Sequence, residues 1–440
     1  MNKDFLWGVS TSAGQIEGAV SQDGRTPSIW DTFSKIPDKI VSNHTPDIAC
    51  DSYNRFDRDL EALKFLGVNT YRFSISWSRV LPDGTGKLNT KGVDYYKRMI
   101  EKLNGAGIVP NVTLYHWDLP QVLEDRGGWP NRDSIEWFGE YASKMFSELG
   151  DAVPMWSTIN EPIATYIGYA KGGFAPGHTD EKLGNQARHN ILVAHGKAVE
   201  AFRAANLKDS KIGVVIDIWK RHPMHDTPED WAIVRDEDET NWKFYCDPIL
   251  AGHYSDYIID KFTREGTLMD MRPHDFELTS QKLDYFGLNV YNRIVVSADS
   301  HAEADFKRGG NFLDNGVEYY PEALYDAVKL LKDLYNIDVP IYVTENGTYH
   351  WGPEADGESG MIEDEYRIRY LGGFLNQLDR AIKDGYDIRG YYAWSLMDNF
   401  EWAGGYNGRF GLHKLEEGTM NLVPKKSAYF YKDYIKNKMN

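Results

Sequence analysis

Cysteine is nearly absent. The chain has two in 440 residues, Cys50 and Cys246, far apart and without metal-ligand spacing, so neither a disulfide framework nor a zinc site is expected. Long apolar runs are missing as well, and no segment approaches the length of a membrane span. Met1 to Ser12 carries one early Lys and then Phe5, Leu6 and Trp7 broken by Gly8, without the apolar stretch of a secretory signal. A cytoplasmic protein with reduced thiols is the expectation. Positive charge is the third scarcity: 49 Lys plus Arg against 66 Asp plus Glu give a net charge of −17, a field that repels polyanions. Nucleic acid and anionic membranes are therefore not expected partners. No Gly-x-Gly-x-x-Gly follows the first strand pattern, and the nearest approach, Gly84-Thr85-Gly86, sits in a Pro82-Asp83-Gly84 turn. Neither a cofactor nor a metal is expected.

What is present is a globular composition, 42% hydrophobic and 26% charged, able to bury a large core. Aromatics reach 14%, which suits a core and suits sugar faces equally. Short apolar runs bounded by turn residues alternate with stretches of helical period, the pattern of repeated βα units. Eight strands are expected, over Phe5–Ser10, Thr70–Ser76, Val109–Tyr115, Met155–Asn160, Ile212–Asp217, Tyr285–Asn289, Ile341–Thr344 and Gly390–Trp394. Between them Phe56, Leu60 and Leu63, then Val93, Tyr96, Ile100 and Leu103, recur at steps of three and four. So do Leu324, Val328, Leu331 and Tyr335, and Ile368, Leu371, Leu375, Leu378 and Ile382, each set pressing one helical face onto a sheet. Gly67, Gly107, Gly150 and Gly385 follow four helical patterns as C-caps. The α/β class follows, as a single (β/α)8 barrel of residues 1–440 with no linker to split it. The excess length lies after strands, in 217–240, 293–318, 346–362 and 395–424, on the face where barrel enzymes build their sites.

Two glutamates stand at that face. Glu161 closes Thr158-Ile159-Asn160-Glu161-Pro162, and Glu345 follows Val343-Thr344, each beside an Asn and each at the end of a strand. Either alone would read as a solvated loop charge. If the fold brings them face to face, about 5–5.5 Å apart, they would serve as the acid and nucleophile of a retaining glycosidase. Arg72, at the end of the second strand, is the cation that would keep Glu345 ionised while Glu161 holds a proton.

Seven stretches carry a further signal: Phe5-Leu6-Trp7-Gly8 running to Gln15-Ile16-Glu17-Gly18, Tyr71 to Arg79, Tyr115-His116-Trp117-Asp118-Leu119-Pro120, Asn160-Glu161-Pro162, Asn289-Val290-Tyr291, Thr344-Glu345-Asn346-Gly347, and Trp394 to Trp402. In this order and along essentially the whole chain they resemble glycoside hydrolase family 1, the β-glucosidase family. The resemblance implies that Glu161 is the acid/base and Glu345 the nucleophile. It also implies that Tyr291 and Arg72 hold Glu345, that Asn289 orders the polar network, that Gln15, His116, Asn160, Glu401 and Trp402 bond glycone hydroxyls, and that Trp394 floors the pocket. Trp7, Trp77 and Trp117 are assigned mainly to packing or support behind the site. The implied activity is a retaining β-D-glucosidase acting on β-glucosides and cello-oligosaccharides as small-molecule substrates. Transglycosylation and β-galactosidase or β-fucosidase activity are alternatives at the same site, a non-catalytic sugar-binding barrel is a further one, and a homo-oligomer is left open.

Two positions depart from the family pattern. Ile163 stands where a Trp is usual near the leaving group, and Gly14 where an aromatic is common. Segment 217–240, with Trp219, His222, His225 and Trp231, has no assigned role, and its two histidines are too few for a metal site.

Overall fold

Runs rich in β-branched and aromatic residues pair in parallel when both faces can be buried. In the computed structural model, which describes residues 4–299, 306, 310–357 and 360–439, eight such runs do so. They are β1 (Leu6–Ser10), β2 (Thr70–Ser74), β3 (Val109–Tyr115), β4 (Met155–Asn160), β5 (Lys211–Asp217), β6 (Tyr285–Asn289), β7 (Ile341–Asn346) and β8 (Ile388–Trp394). Each lies beside its neighbours in chain order, and β8 pairs with β1 to close the barrel. The expected strand over 70–76 stops at Ser74, because Ser76 already caps the short helix Trp77–Val80. β7 runs on to Asn346, so Glu345 belongs to the strand rather than to the loop after it. Parts of the excursions 293–318 and 346–362 lie outside the described residues, as do Met1 to Lys3.

One long helix follows each strand: α1 (Ser52–Leu66), α2 (Thr90–Gly105), α3 (Ser134–Leu149), α4 (Glu181–Ala205), α5 (Asp256–Glu265), α6 (Glu322–Tyr335), α7 (Glu365–Lys383) and α8 (Lys426–Met439). Their apolar faces bury as the spacing predicts, with Leu63, Leu103, Leu331 and Leu378 fully enclosed. The Tyr431 hydroxyl of α8 donates to the Gly8 carbonyl at 2.8 Å, fastening the last helix onto the first strand. Gly67, Gly107 and Gly385 take φ of 72°, 72° and 95°, the left-handed cap geometry. Gly150 does not. Its φ is −51° and the chain continues into a 3-10 turn, Gly150–Ala152; a Cβ there would lie 2.5 Å from Leu207 Cδ2, so close packing rather than handedness explains this glycine.

The barrel is a packed core at its N-terminal end. Met155, Tyr285, Tyr342 and Tyr392 form their own buried cluster there. The Tyr392 hydroxyl on β8 meets Thr70 Oγ1 and Asn111 Nδ2, each at 3.1 Å, on β2 and β3, a contact between non-neighbouring strands that crosses the interior. Gly8 makes room for that ring, since a Cβ would lie 2.6 Å from it. With the lower half filled, the free space lies at the C-terminal ends of the strands, where the loops build walls.

Candidate active site

Strand ends at the mouth are aimed by local irregularities. The β4–β5 register shifts between Ser157 and Asn160, and the β6–β7 register shifts so that Asn289 pairs with Glu345. Such bulges re-aim side chains beside sites. Glu161 leaves β4 with φ of 43°, its N–H donating to the Val215 carbonyl at 2.9 Å. Trp117 and Trp402 also hold left-handed backbone, with φ of 80° and 47°. Such a conformation costs a non-glycine residue about 1–3 kcal/mol, and three of them gather around one cavity.

That cavity has a volume of about 420 Å³ and is lined by both Glu161 and Glu345, with His116, Tyr291, Trp394, Glu401 and Trp402. Behind it runs a continuous polar network. Arg72 donates from Nη1 to Glu345 Oε1 at 2.7 Å and from Nη2 to Asn160 Oδ1 at 2.6 Å. Asn289 Nδ2 donates to Glu161 Oε1 at 2.7 Å and to Asn160 Oδ1 at 3.1 Å. The Tyr291 hydroxyl donates to Glu345 Oε2 at 2.6 Å, and the Thr344 hydroxyl fixes Asn289 by donating to its Oδ1 at 2.7 Å. The two glutamates, 345 − 161 = 184 positions apart in sequence, are thus joined through Asn289, Asn160 and Arg72.

The same network separates their proton affinities. Burial raises both carboxyls above the usual range. For Glu345 the Arg72 cation and the Tyr291 hydroxyl work against that rise; for Glu161 the charges of Asp217 and Glu345 add to it and carry its pKa well above the ordinary value. The first proton therefore sits on Glu161. This arrangement can present one ionised carboxylate and one carboxylic acid to the same molecule.

Hydrogen bonding also fixes His116. Asn160 Oδ1 is occupied by two donors, so its Nδ2 faces His116 Nε2 at 3.2 Å and that nitrogen accepts. Burial and the Arg72 charge hold the imidazole pKa well below its usual value, so the ring is neutral with its proton on Nδ1. Nδ1 is buried and without a protein partner, a donor available to a bound hydroxyl. On the opposite wall Gln15 Nε2 donates to Glu401 Oε2 and Asn399 Oδ1, each at 3.0 Å, while Ser12 donates to Gln15 Oε1 at 2.6 Å. Burial and the Glu345 charge push Glu401 up to about 8. Trp394 and Trp402 lie nearly parallel to the His116 ring, at 5.8 and 6.1 Å.

All eleven residues singled out in the sequence meet at this mouth. Trp7 and Trp77 are fully enclosed, as expected of packing residues, but Trp117 is not simply behind the site. It lines the cavity while its Nε1 donates to the Asn160 carbonyl at 2.8 Å, and its ring packs against Trp402 at 4.8 Å. Segment 217–240 supplies two residues that pattern reading passed over. Trp219 stacks on Tyr291 at 5.8 Å and 11°, and Asp217 ends β5. Both line a second chamber of about 340 Å³ that shares Trp117, Glu161 and Trp219 with the first. Asp217 could have been found by asking of the fifth strand what was asked of the fourth and seventh. His222 and His225 instead lie near Asp326 and Asp230, and no cluster of metal-binding type occurs among the described residues.

Ile163 lies in this second chamber. By the family resemblance this is the leaving-group side, where a Trp would add a flat apolar surface; on that expectation Ile163→Trp raises kcat/KM roughly 3- to 10-fold for aryl over alkyl β-glucosides relative to the parent. An unchanged ranking across a leaving-group series would sink that idea.

Known proteins share this architecture. The chain is 42% identical to Beta-glucosidase A of Acetivibrio thermocellus over 99% of its own length and 98% of the relative's, and 41% identical to Beta-glucosidase A of Thermotoga maritima over 98% and 97%. The solved structure of the β-glucosidase from Thermotoga maritima in complex with glucoimidazole superposes with a TM-score of 0.93 at 40% identity, covering 99% of this chain and 98% of that one. The family model for glycosyl hydrolase family 1 matches residues 1–440, and with it the barrel, the paired glutamates and the relatives agree that this chain belongs to glycosyl hydrolase family 1.

Proposed function

We propose that the chain works as one catalytic domain, a retaining β-D-glucosidase that removes terminal non-reducing glucose from β-glucosides and short cello-oligosaccharides. Glu345 attacks the anomeric carbon while Glu161 protonates the leaving oxygen; the glycosyl ester then forms, and the charge on Glu345 disappears. Loss of that charge lowers the proton affinity of Glu161, which is then able to take a proton from water in the second step. Arg72 and Tyr291 orient the nucleophile, and Asn289 orients Glu161. Asn160 donates to the 2-hydroxyl, where contacts tighten in the transition state. Gln15, His116, Glu401 and Trp402 bond the remaining hydroxyls, with Trp394 as an apolar floor.

The observation that carries this reading is the unequal environment of two carboxyls lining one cavity, Glu345 accepting from Arg72 and Tyr291 and Glu161 from Asn289. The names of the relatives support glucose as the sugar. Glu401 followed by Trp402 goes with a neutral glycone, since a phosphorylated sugar would need Ser and Lys donors at this place, where the sequence has neither. A cytoplasmic setting goes with two free, buried thiols. Proton NMR of the first sugar released from an aryl β-glucoside tests the mechanism: β-glucose must appear first and mutarotate later. Release of α-glucose would exclude double displacement.

A further inference from the structure

Asp217 has no part in the scheme above, yet its position gives it one. Asn160 pairs with Val215, so the chain leaves β4 at Glu161 just where β5 runs two residues further, to Asp217. Both side chains line the 340 Å³ chamber. On its other side β5 pairs with β6, placing Asp217 opposite Asn289, the residue that donates to Glu161. Asp217 is therefore a carboxylate one strand from Glu161 and in register with the donor that orients it.

The charges around this pair are few. Arg221 is the cation that faces Asp217, and it is engaged elsewhere, donating to the Trp219 carbonyl at 2.6 Å and to Glu237 at 3.1 Å. The helix Trp242–Cys246 brings Tyr245 and Cys246, both kept neutral by burial. Glu161 is faced by Glu345, by Arg72, which is already shared between Glu345 and Asn160, and by the neutral Tyr291 and His116.

We infer that Asp217 is a positioning residue for the proton of Glu161: its negative charge, set beside the acid in the leaving-group chamber, keeps that proton bound at higher pH and so extends activity upward. Burial brings Asp217 itself to about 6, so it is ionised over the neutral and alkaline range in which Glu161 must stay protonated. Its charge and that of Glu345 both raise Glu161 on top of the effect of burial. The inference rests on Glu161 being the acid of the reaction proposed above.

The sign of the test follows. Removing a like charge lowers the proton affinity of Glu161, so the alkaline limb of kcat/KM for a β-glucoside with a poor leaving group moves to lower pH in Asp217→Asn, by roughly one pH unit. Asp217→Glu, which keeps the charge, leaves the limb close to its wild-type position. A substrate whose leaving group departs without protonation, such as 2,4-dinitrophenyl β-glucoside, shows no such displacement. Asp217→Ser serves as a second neutral variant should the amide fail to fold. A working wild-type enzyme whose alkaline limb is unmoved in the neutral variants, or equally displaced in Asp217→Glu, overturns this inference alone. A wild-type protein without turnover of any β-glucoside removes the function beneath it.

Discussion

Glu345→Gly is expected to lower kcat on an aryl β-glucoside by about four orders of magnitude or more, equivalent to roughly 5 kcal/mol of lost transition-state stabilisation. The size follows from what the side chain does in the proposed scheme. It supplies the covalent partner that splits one displacement into two, and Arg72 and Tyr291 have no substitute carboxylate to orient once it is gone. The void left beside Arg72 is anionic in shape and cationic in field, so added azide or formate should enter it and attack the sugar from the same face. With an activated glucosyl substrate, azide should then give an α-configured adduct, the product of a single inversion. A β adduct, or turnover within tenfold of wild type without any added anion, would place the nucleophile elsewhere.

Glu161→Ala separates the two half-reactions. A cellobiose-like leaving group needs a proton, so its kcat/KM should fall roughly 10²- to 10⁴-fold. A 2,4-dinitrophenyl leaving group does not, and its first step should survive nearly intact while release of the glycosyl-enzyme slows for want of a base. The enzyme should then show a burst of dinitrophenol followed by a slow steady state, with azide relieving the slow phase and yielding the β adduct. Equal losses on both substrates, with no burst, would mean that the residue supports the fold rather than the chemistry. Wild-type kcat/KM should also lose its alkaline limb in this variant, because burial, Asp217 and Glu345 raise the Glu161 pKa and so make its ionisation the event that ends activity at high pH.

Much of this was legible in the chain, for physical reasons. Runs such as Val109 to Tyr115 are buried on both faces in a parallel barrel, so their composition marks them regardless of neighbours. Glu161 and Glu345 declared themselves only as a pair, two carboxylates in corresponding positions at strand ends, each beside an Asn. What escaped depended on distant contacts. The need for glycine at position 150 comes from the close approach of Leu207, more than fifty positions on, and no local rule contains that. Trp219 becomes part of the site only by lying on Tyr291, and Trp117 only by packing against Trp402, which its aromatic character does not announce. Asp217 was within a strand correctly delimited at its C-terminal end, but a solitary carboxylate there acquires meaning only once β4 is seen alongside it.

The tyrosine-filled lower half of the barrel makes the site a blind alley. In the proposed scheme glucose, held deepest, leaves after the group that occupied the adjoining chamber has gone. Traffic is then strictly ordered: the aglycone exits first, water or an alcohol enters by the vacated route, and the sugar departs last. A molecule lodged between Trp219 and Ile163 would both bar the exit and stand where the incoming nucleophile stands, so a tight-fitting alcohol would be glucosylated while a tight-fitting inert ring would simply trap the product behind it.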